Sequence, residues 1–170
     1  MGADVSIELS IEDERWARID LPTIAHRACQ SAIDEVGSIT SASISILATS
    51  NAHIAELNRE FRGKPVPTNV LSWPTENLAP EIPGGTPDRL TDPEIGDIAL
   101  AYEVCESEAA AFGVDIHDHV THLVLHGCLH LLGYDHIHDE DATVMETLEI
   151  MALEKLGIKN PYLQWANDSL

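Results

Sequence analysis

Apolar and polar residues alternate over positions 5–9, the pattern of a half-buried strand. From about Pro22 the period changes, and Ile24, Ala28, Ala32, Ile33 and Val36 recur at helical spacing up to a stop at Gly37. Positions 43–47 read as a second strand. Ser50 and Asn51 then open a helix whose Ile54, Leu57 and Phe61 share one face, closed by Gly63 and Pro65. Positions 70–73 form a short extended run, and 74–93, rich in proline, glycine and acids, is a long loop of the kind that is functional or mobile. A strand over 95–101 leads into a helix over 102–112 with Gly113 at its end. Two more helices follow, from about Ile116 to a stop at Gly133 and from Asp139, Glu140 and Asp141 to Gly157. The three acids suit the positive end of that last helix. There is no regular βαβ alternation, so the reading is an α+β fold: a single small mixed sheet with packed helices, one domain over 1–170.

Composition narrows this picture. A chain of 170 residues that is 44% hydrophobic can bury one core and is too short to divide comfortably into two. No apolar run is long enough to span a membrane and positions 1–10 lack a secretory pattern, so a cytoplasmic protein with no membrane partner is expected. Cys29, Cys105 and Cys128 are too few and too far apart for a disulfide framework and read as reduced and buried. Nine basic residues against 29 acidic ones give a net charge of -20, which disfavours non-specific adhesion to nucleic acid. A polyanion would have to be met locally. Arg59, Arg62 and Lys64 concentrate basic charge in one place, although composition alone favours an ordinary solvated helix end there.

Seven of the nine histidines fall between His117 and His138, a density that points to metal. His126 and His130, four residues apart, project from one helix face and can converge on one ion. Gly133 lets the chain leave the helix in a left-handed conformation and bring His136 back as a third ligand. His122 continues the face, but lies about 12 Å along the axis from His130, too far for one ion with bonds of about 2 Å. It reads as a supporting or surface residue, and His117, His119 and His138 as exposed. The spacing H-x3-H-x2-G-x2-H is that of metzincin peptidases, so a metzincin-like metal helix and turn is expected. The peptidase general base, however, is replaced by Gly127. Three neutral ligands leave a fourth position for water, so one zinc-like ion on His126, His130 and His136 suits hydrolysis. Asp135 could orient a ligand histidine or shape the turn, the second reading being preferred.

The run HGCLHLLGYDH from His126 to His136 resembles the signature of the YbeY family of bacterial endoribonucleases, as do LNREFRGKPVPTNVLSWP from Leu57 to Pro74 and Gly96-Asp97-Ile98. The resemblance implies a single-strand-specific, metal-dependent endoribonuclease. It also implies work on ribosomal RNA, at the 3′ end of the small-subunit RNA, and in ribosome quality control. Implied partners are single-stranded RNA and the ribosome, with ribosomal proteins and a GTPase as further family partners. It carries the metal role onto His126, His130 and His136 and a functional arginine onto Arg62, making His126 and Arg62 the catalytic candidates. Arg59, Arg62 and Lys64 become candidates for substrate binding. Departures from the pattern are Pro65 where an acid is common, Trp73 where Phe is usual, and Asn69 where Asp or Asn occurs. Arg62 suits a phosphate, because its planar guanidinium can hold two oxygens and offset developing charge. Two other classes stay open, a zinc peptidase or amide hydrolase and a ribosome assembly factor with structural zinc.

Overall fold

The computed structural model describes residues 2–163; Met1 and 164–170, part of the domain read over 1–170, lie outside the described residues. Four strands, β1 (Asp4–Ile11), β2 (Ser41–Thr49), β3 (Val70–Pro74) and β4 (Glu94–Ala101), make one sheet in the order β1-β2-β4-β3. β1, β2 and β4 run parallel, and β3 is an antiparallel edge strand on β4. Five α-helices complete the fold: α1 (Leu21–Val36), α2 (Asn51–Arg62), α3 (Tyr102–Phe112), α4 (Ile116–Leu131) and α5 (Asp139–Lys155). This is the expected α+β architecture with a small mixed sheet.

The two faces of the sheet are covered unequally. Ala42, Ile44, Ile46 and Ala48 of β2 and Ile98 and Leu100 of β4 point into the main core beneath α1 and α4. Each large aliphatic side chain sealed there contributes about 1.5–3 kcal/mol. On the opposite face, Ile54 of α2 closes a much smaller cluster with Leu71, Ala99 and Ala101. Between β1 and α1 lies a 3-10 turn (Glu14–Arg18) that the periodicity of the chain does not announce. Its Trp16 is fully buried, and the indole N–H donates to the carbonyl of Thr49 at 2.9 Å.

The long loop is held down rather than free. Thr91 donates to Glu76 across its base, Asp88 N–H donates to the Leu78 carbonyl at 2.9 Å, and Gly84 N–H donates to Asp141 of α5 at 2.8 Å. Leu78 is buried. No described helix is long and apolar enough to cross a membrane.

Candidate metal centre

α4 is buried on nearly every side, because it packs against α1 and crosses the β3–β4 end of the sheet. Gly127 permits the close approach: a Cβ there would sit 3.2 Å from Cδ1 of Ile98 on β4. His122, His126 and His130 share the stripe that remains partly open. The helix ends in a two-bond turn. Gly133 N–H donates to the carbonyl of His130 and Tyr134 N–H to that of Leu129, each at 3.1 Å, with Gly133 at a φ of 101°. The turn carries His136 back over the helix end. Ring centroids of His126 and His130 are 4.6 Å apart, and that of His136 lies 5.4 and 5.1 Å from them. One nitrogen from each of the three falls within 4.8 Å of the others.

Hydrogen bonds on the hidden side fix two of these rings. His130 Nδ1 donates to the carbonyl of Tyr134 at 2.9 Å, and His126 Nδ1 donates to the carboxylate of Glu149. Both partners accept, which places a proton on each Nδ1; in the neutral rings the Nε2 lone pairs are then free. Those two Nε2 atoms are 3.0 Å apart. Burial pushes the pKa of His130 down to about 4, so its ring stays neutral at pH 7. Two bare lone pairs facing each other are favourable only with an electron-pair acceptor, a proton or a metal ion, between them. The donor set fits a metal ion that takes imidazole nitrogens, and His136 offers a third nitrogen within reach of the other two.

The remaining candidates separate clearly. Asp135 shapes the turn: its Oδ1 accepts from His136 N–H at 2.8 Å, while it stands 3.9 Å from His130 Nδ1, which is already committed to Tyr134. His117 and His138 are exposed as expected. His119 is not. It is buried against Phe112, and its ring meets Glu108 at 3.0 Å. All three cysteines are free and buried, with Cys128 on the core side of α4. Glu149 is a site residue that no motif marks, only its position among the apolar residues of the buried α5 stripe. It is fully buried on α5, and burial alone would raise its pKa, but hydrogen bonds from His122 and His126 outweigh this and hold it ionised.

In front of the histidines lies an open cleft of about 860 Å³, running along the free edge of β3 past Val70, Ser72 and Pro74. α2 lies on the far face of the sheet, and the chain leaving it rounds this edge. Arg62 and Lys64 thereby reach the cleft wall opposite His126, His130 and His136. Arg59, one turn earlier, does not line it. Asn58 steadies the rounding segment by donating to the carbonyl of Val66 at 2.9 Å. Among the described residues neither Arg62 nor Lys64 is paired with a carboxylate.

The family description Endoribonuclease YbeY matches residues 7–157, which take in both walls of this cleft. The chain belongs to the YbeY family. Relatives of the same description include one from Ruegeria pomeroyi, 51% identical over 93% of this chain and 98% of its own. Another, from Dinoroseobacter shibae, is 49% identical over 94% and 92%. The solution structure of TM1509 from Thermotoga maritima shares the fold with a TM-score of 0.59 at 22% identity, covering 95% of this chain and 93% of that one.

Membership of the YbeY family gives the departures in this sequence a structural meaning. Asn69 uses both ends of its amide: Nδ2 donates to Glu108 at 3.1 Å and Oδ1 accepts from Val70 N–H at 2.7 Å. A carboxylate could not make the first contact, and Glu108 would repel it. Trp73 packs edge-on against Phe61 at 5.4 Å, on the α2 side and away from the cleft. Pro65 is exposed.

Proposed function

We propose that this YbeY-family hydrolase of RNA phosphodiester bonds holds one zinc ion on His126, His130 and His136 and cuts single-stranded RNA in the cleft along β3. The observation that carries the reading is the pairing of two free Nε2 lone pairs on one wall with the unpaired cations Arg62 and Lys64 on the other. When bound, the ion would supply Lewis-acid polarisation of a phosphate oxygen and activation of water near neutral pH. The guanidinium of Arg62 holds non-bridging phosphate oxygens and offsets the charge that grows on them as an attacking oxygen adds to phosphorus, before the P–O bond to the leaving oxygen breaks. Lys64 adds attraction for the backbone, which an overall charge of -20 otherwise repels. No carboxylate takes the peptidase base position. Gly127 faces Ile98 in the core rather than the cleft, which removes the support for peptide hydrolysis.

The family supports small-subunit ribosomal RNA as substrate, the ribosome as the place of action and the cytoplasm as the compartment. The test combines metal content with cleavage of a defined single-stranded RNA, with and without chelator. We expect about one equivalent of zinc, chelator-sensitive cleavage and no hydrolysis of unstructured peptides. Full cleavage by rigorously metal-free protein would overturn the reading.

A further inference from the structure

We propose that Glu149 is a positioning residue for the metal centre: its buried carboxylate, gripped by Tyr162 and His122, holds the His126 ring with Nδ1–H inward and Nε2 toward the ion. The proposal rests on the three-histidine assignment above.

Glu149 is out of place by pattern. Met145, Ala152 and Leu153 form the buried stripe of α5, and position 149 lies within that stripe, where an apolar side chain is the ordinary occupant. A buried carboxylate is costly unless its oxygens are satisfied, and here they are. Oε1 accepts from His126 Nδ1, while Oε2 accepts from the Tyr162 hydroxyl and faces His122 Nε2 at 3.4 Å. Among the described residues no lysine or arginine reaches it. Every partner therefore belongs to the α4 histidine stripe or to the segment after α5. Tyr162 is delivered by a small turn in which its N–H donates to Asn160 Oδ1 at 2.9 Å, and its ring stands edge-on to that of His122 at 5.9 Å.

A competing arrangement uses the same atoms. His122, His126 and Glu149 each offer a ligand atom within 4.8 Å of the others, as a second ion site would. A neutral imidazole, however, has only one bare nitrogen. If Nε2 of His126 serves the three-histidine centre, Nδ1 keeps its proton and can only donate, so Glu149 accepts that proton's hydrogen bond and binds no ion. The arrangement raises the basicity of the ligand nitrogen and fixes the ring plane before any ion arrives.

The test measures zinc affinity by chelator competition and the visible spectrum of the cobalt-substituted protein, with the melting temperature of the metal-free form alongside. Glu149→Gln should raise the zinc Kd by about 10- to 100-fold and alter the cobalt spectrum while the metal-free protein still folds. Tyr162→Phe should shift both in the same direction by less. A Glu149→Gln protein with wild-type Kd and spectrum but a lower metal-free melting temperature would overturn the proposal in favour of a packing role. Two equivalents of zinc in the wild type and one in Glu149→Gln would make Glu149 a ligand instead. If Glu149→Gln does not fold, Tyr162→Phe decides, and an unchanged Kd and spectrum there would sink the idea. His130→Ala is the control: retention of zinc by that variant would remove the three-histidine reading itself.

Discussion

The two walls of the cleft are built on different principles. On the histidine wall, the rings of His126 and His130 are tied from behind by groups of the protein interior, the Tyr134 carbonyl and the Glu149 carboxylate. On the cationic wall, Arg62 and Lys64 stand exposed and unpaired among the described residues, and only the backbone beneath them is held, through Asn58. An ion needs ligands placed to a few tenths of an ångström, so its wall is part of the folding core. A phosphate backbone moving along the cleft needs charge that can follow it. The contrast means that substitutions on the first wall should couple metal, stability and activity, whereas those on the second should change RNA handling alone.

The largest effect is expected from His130→Ala. Removing this ligand should abolish stoichiometric zinc and lower RNA cleavage by more than about 10³-fold, since a bound metal supplies several kcal/mol of charge stabilisation and about 1.4 kcal/mol is tenfold in rate. Elemental analysis of the purified variant checks the first part and a cleavage time course the second. A full equivalent of zinc in His130→Ala would dissolve the distinction between the walls.

Gly133→Ala probes the same wall without touching a ligand. At a φ of 101° a Cβ would fall 2.8 Å from Leu78 Cβ, the Leu78 carbonyl and Pro87 Cβ, so the turn or the long loop must move. We expect a loss of about 1–3 kcal/mol of stability in denaturant melts, accompanied by weaker zinc binding. Weakened stability with zinc affinity untouched would show that the turn and the ligands are independent.

Arg62→Ala is the corresponding experiment on the other wall. Its melting temperature and zinc content should match the wild type, because the side chain is exposed and touches no ligand. Cleavage should fall by about 10²- to 10³-fold, the usual loss for one charge-stabilising donor. Arg62→Lys should recover little, since a point charge cannot reproduce the planar fork. Wild-type rates in zinc-loaded Arg62→Ala would take Arg62 out of the chemistry.

The same contrast explains what could be read from the chain. Strands and helices announce themselves by period wherever one face is buried and the other wet, as along β2 and α1. The 3-10 turn around Trp16 is too short to have a period, and the apolar environment of α4 hides which of its histidines face solvent, so the sequence places His119 outside. The three-histidine geometry follows from a helical spacing plus a glycine stop, both local. Glu149 is local to nothing: it is one acid among 29, and only its place in the stripe with Met145, Ala152 and Leu153 sets it apart. The loop over 74–93 reads as functional or mobile, with nothing to show that it is tied down, because its anchors, Asp141 on α5 and the Gly133 turn, are distant in sequence.

The smallest effect separates Lys64 from Arg59, which the sequence treats alike. Both are exposed cations beside Arg62, yet only Lys64 lines the cleft. A residue that neutralises one phosphate releases condensed counterions, so the slope of log K against log salt for a single strand changes by about 0.7 for each phosphate left without its cation. Lys64→Ala should therefore flatten the salt dependence of binding to a non-cleaved single-stranded RNA by about 0.7 and weaken binding only severalfold at moderate salt. Arg59→Ala should leave the slope where it was, because its charge acts from outside the cleft, where screening over about 10 Å at 0.1 M salt removes most of its influence. Fluorescence titrations across a salt series measure both. Equal slopes for the two variants would mean that RNA spreads over the end of α2 instead of following the edge of β3, and the cationic wall would then be a surface patch and not one side of a cleft.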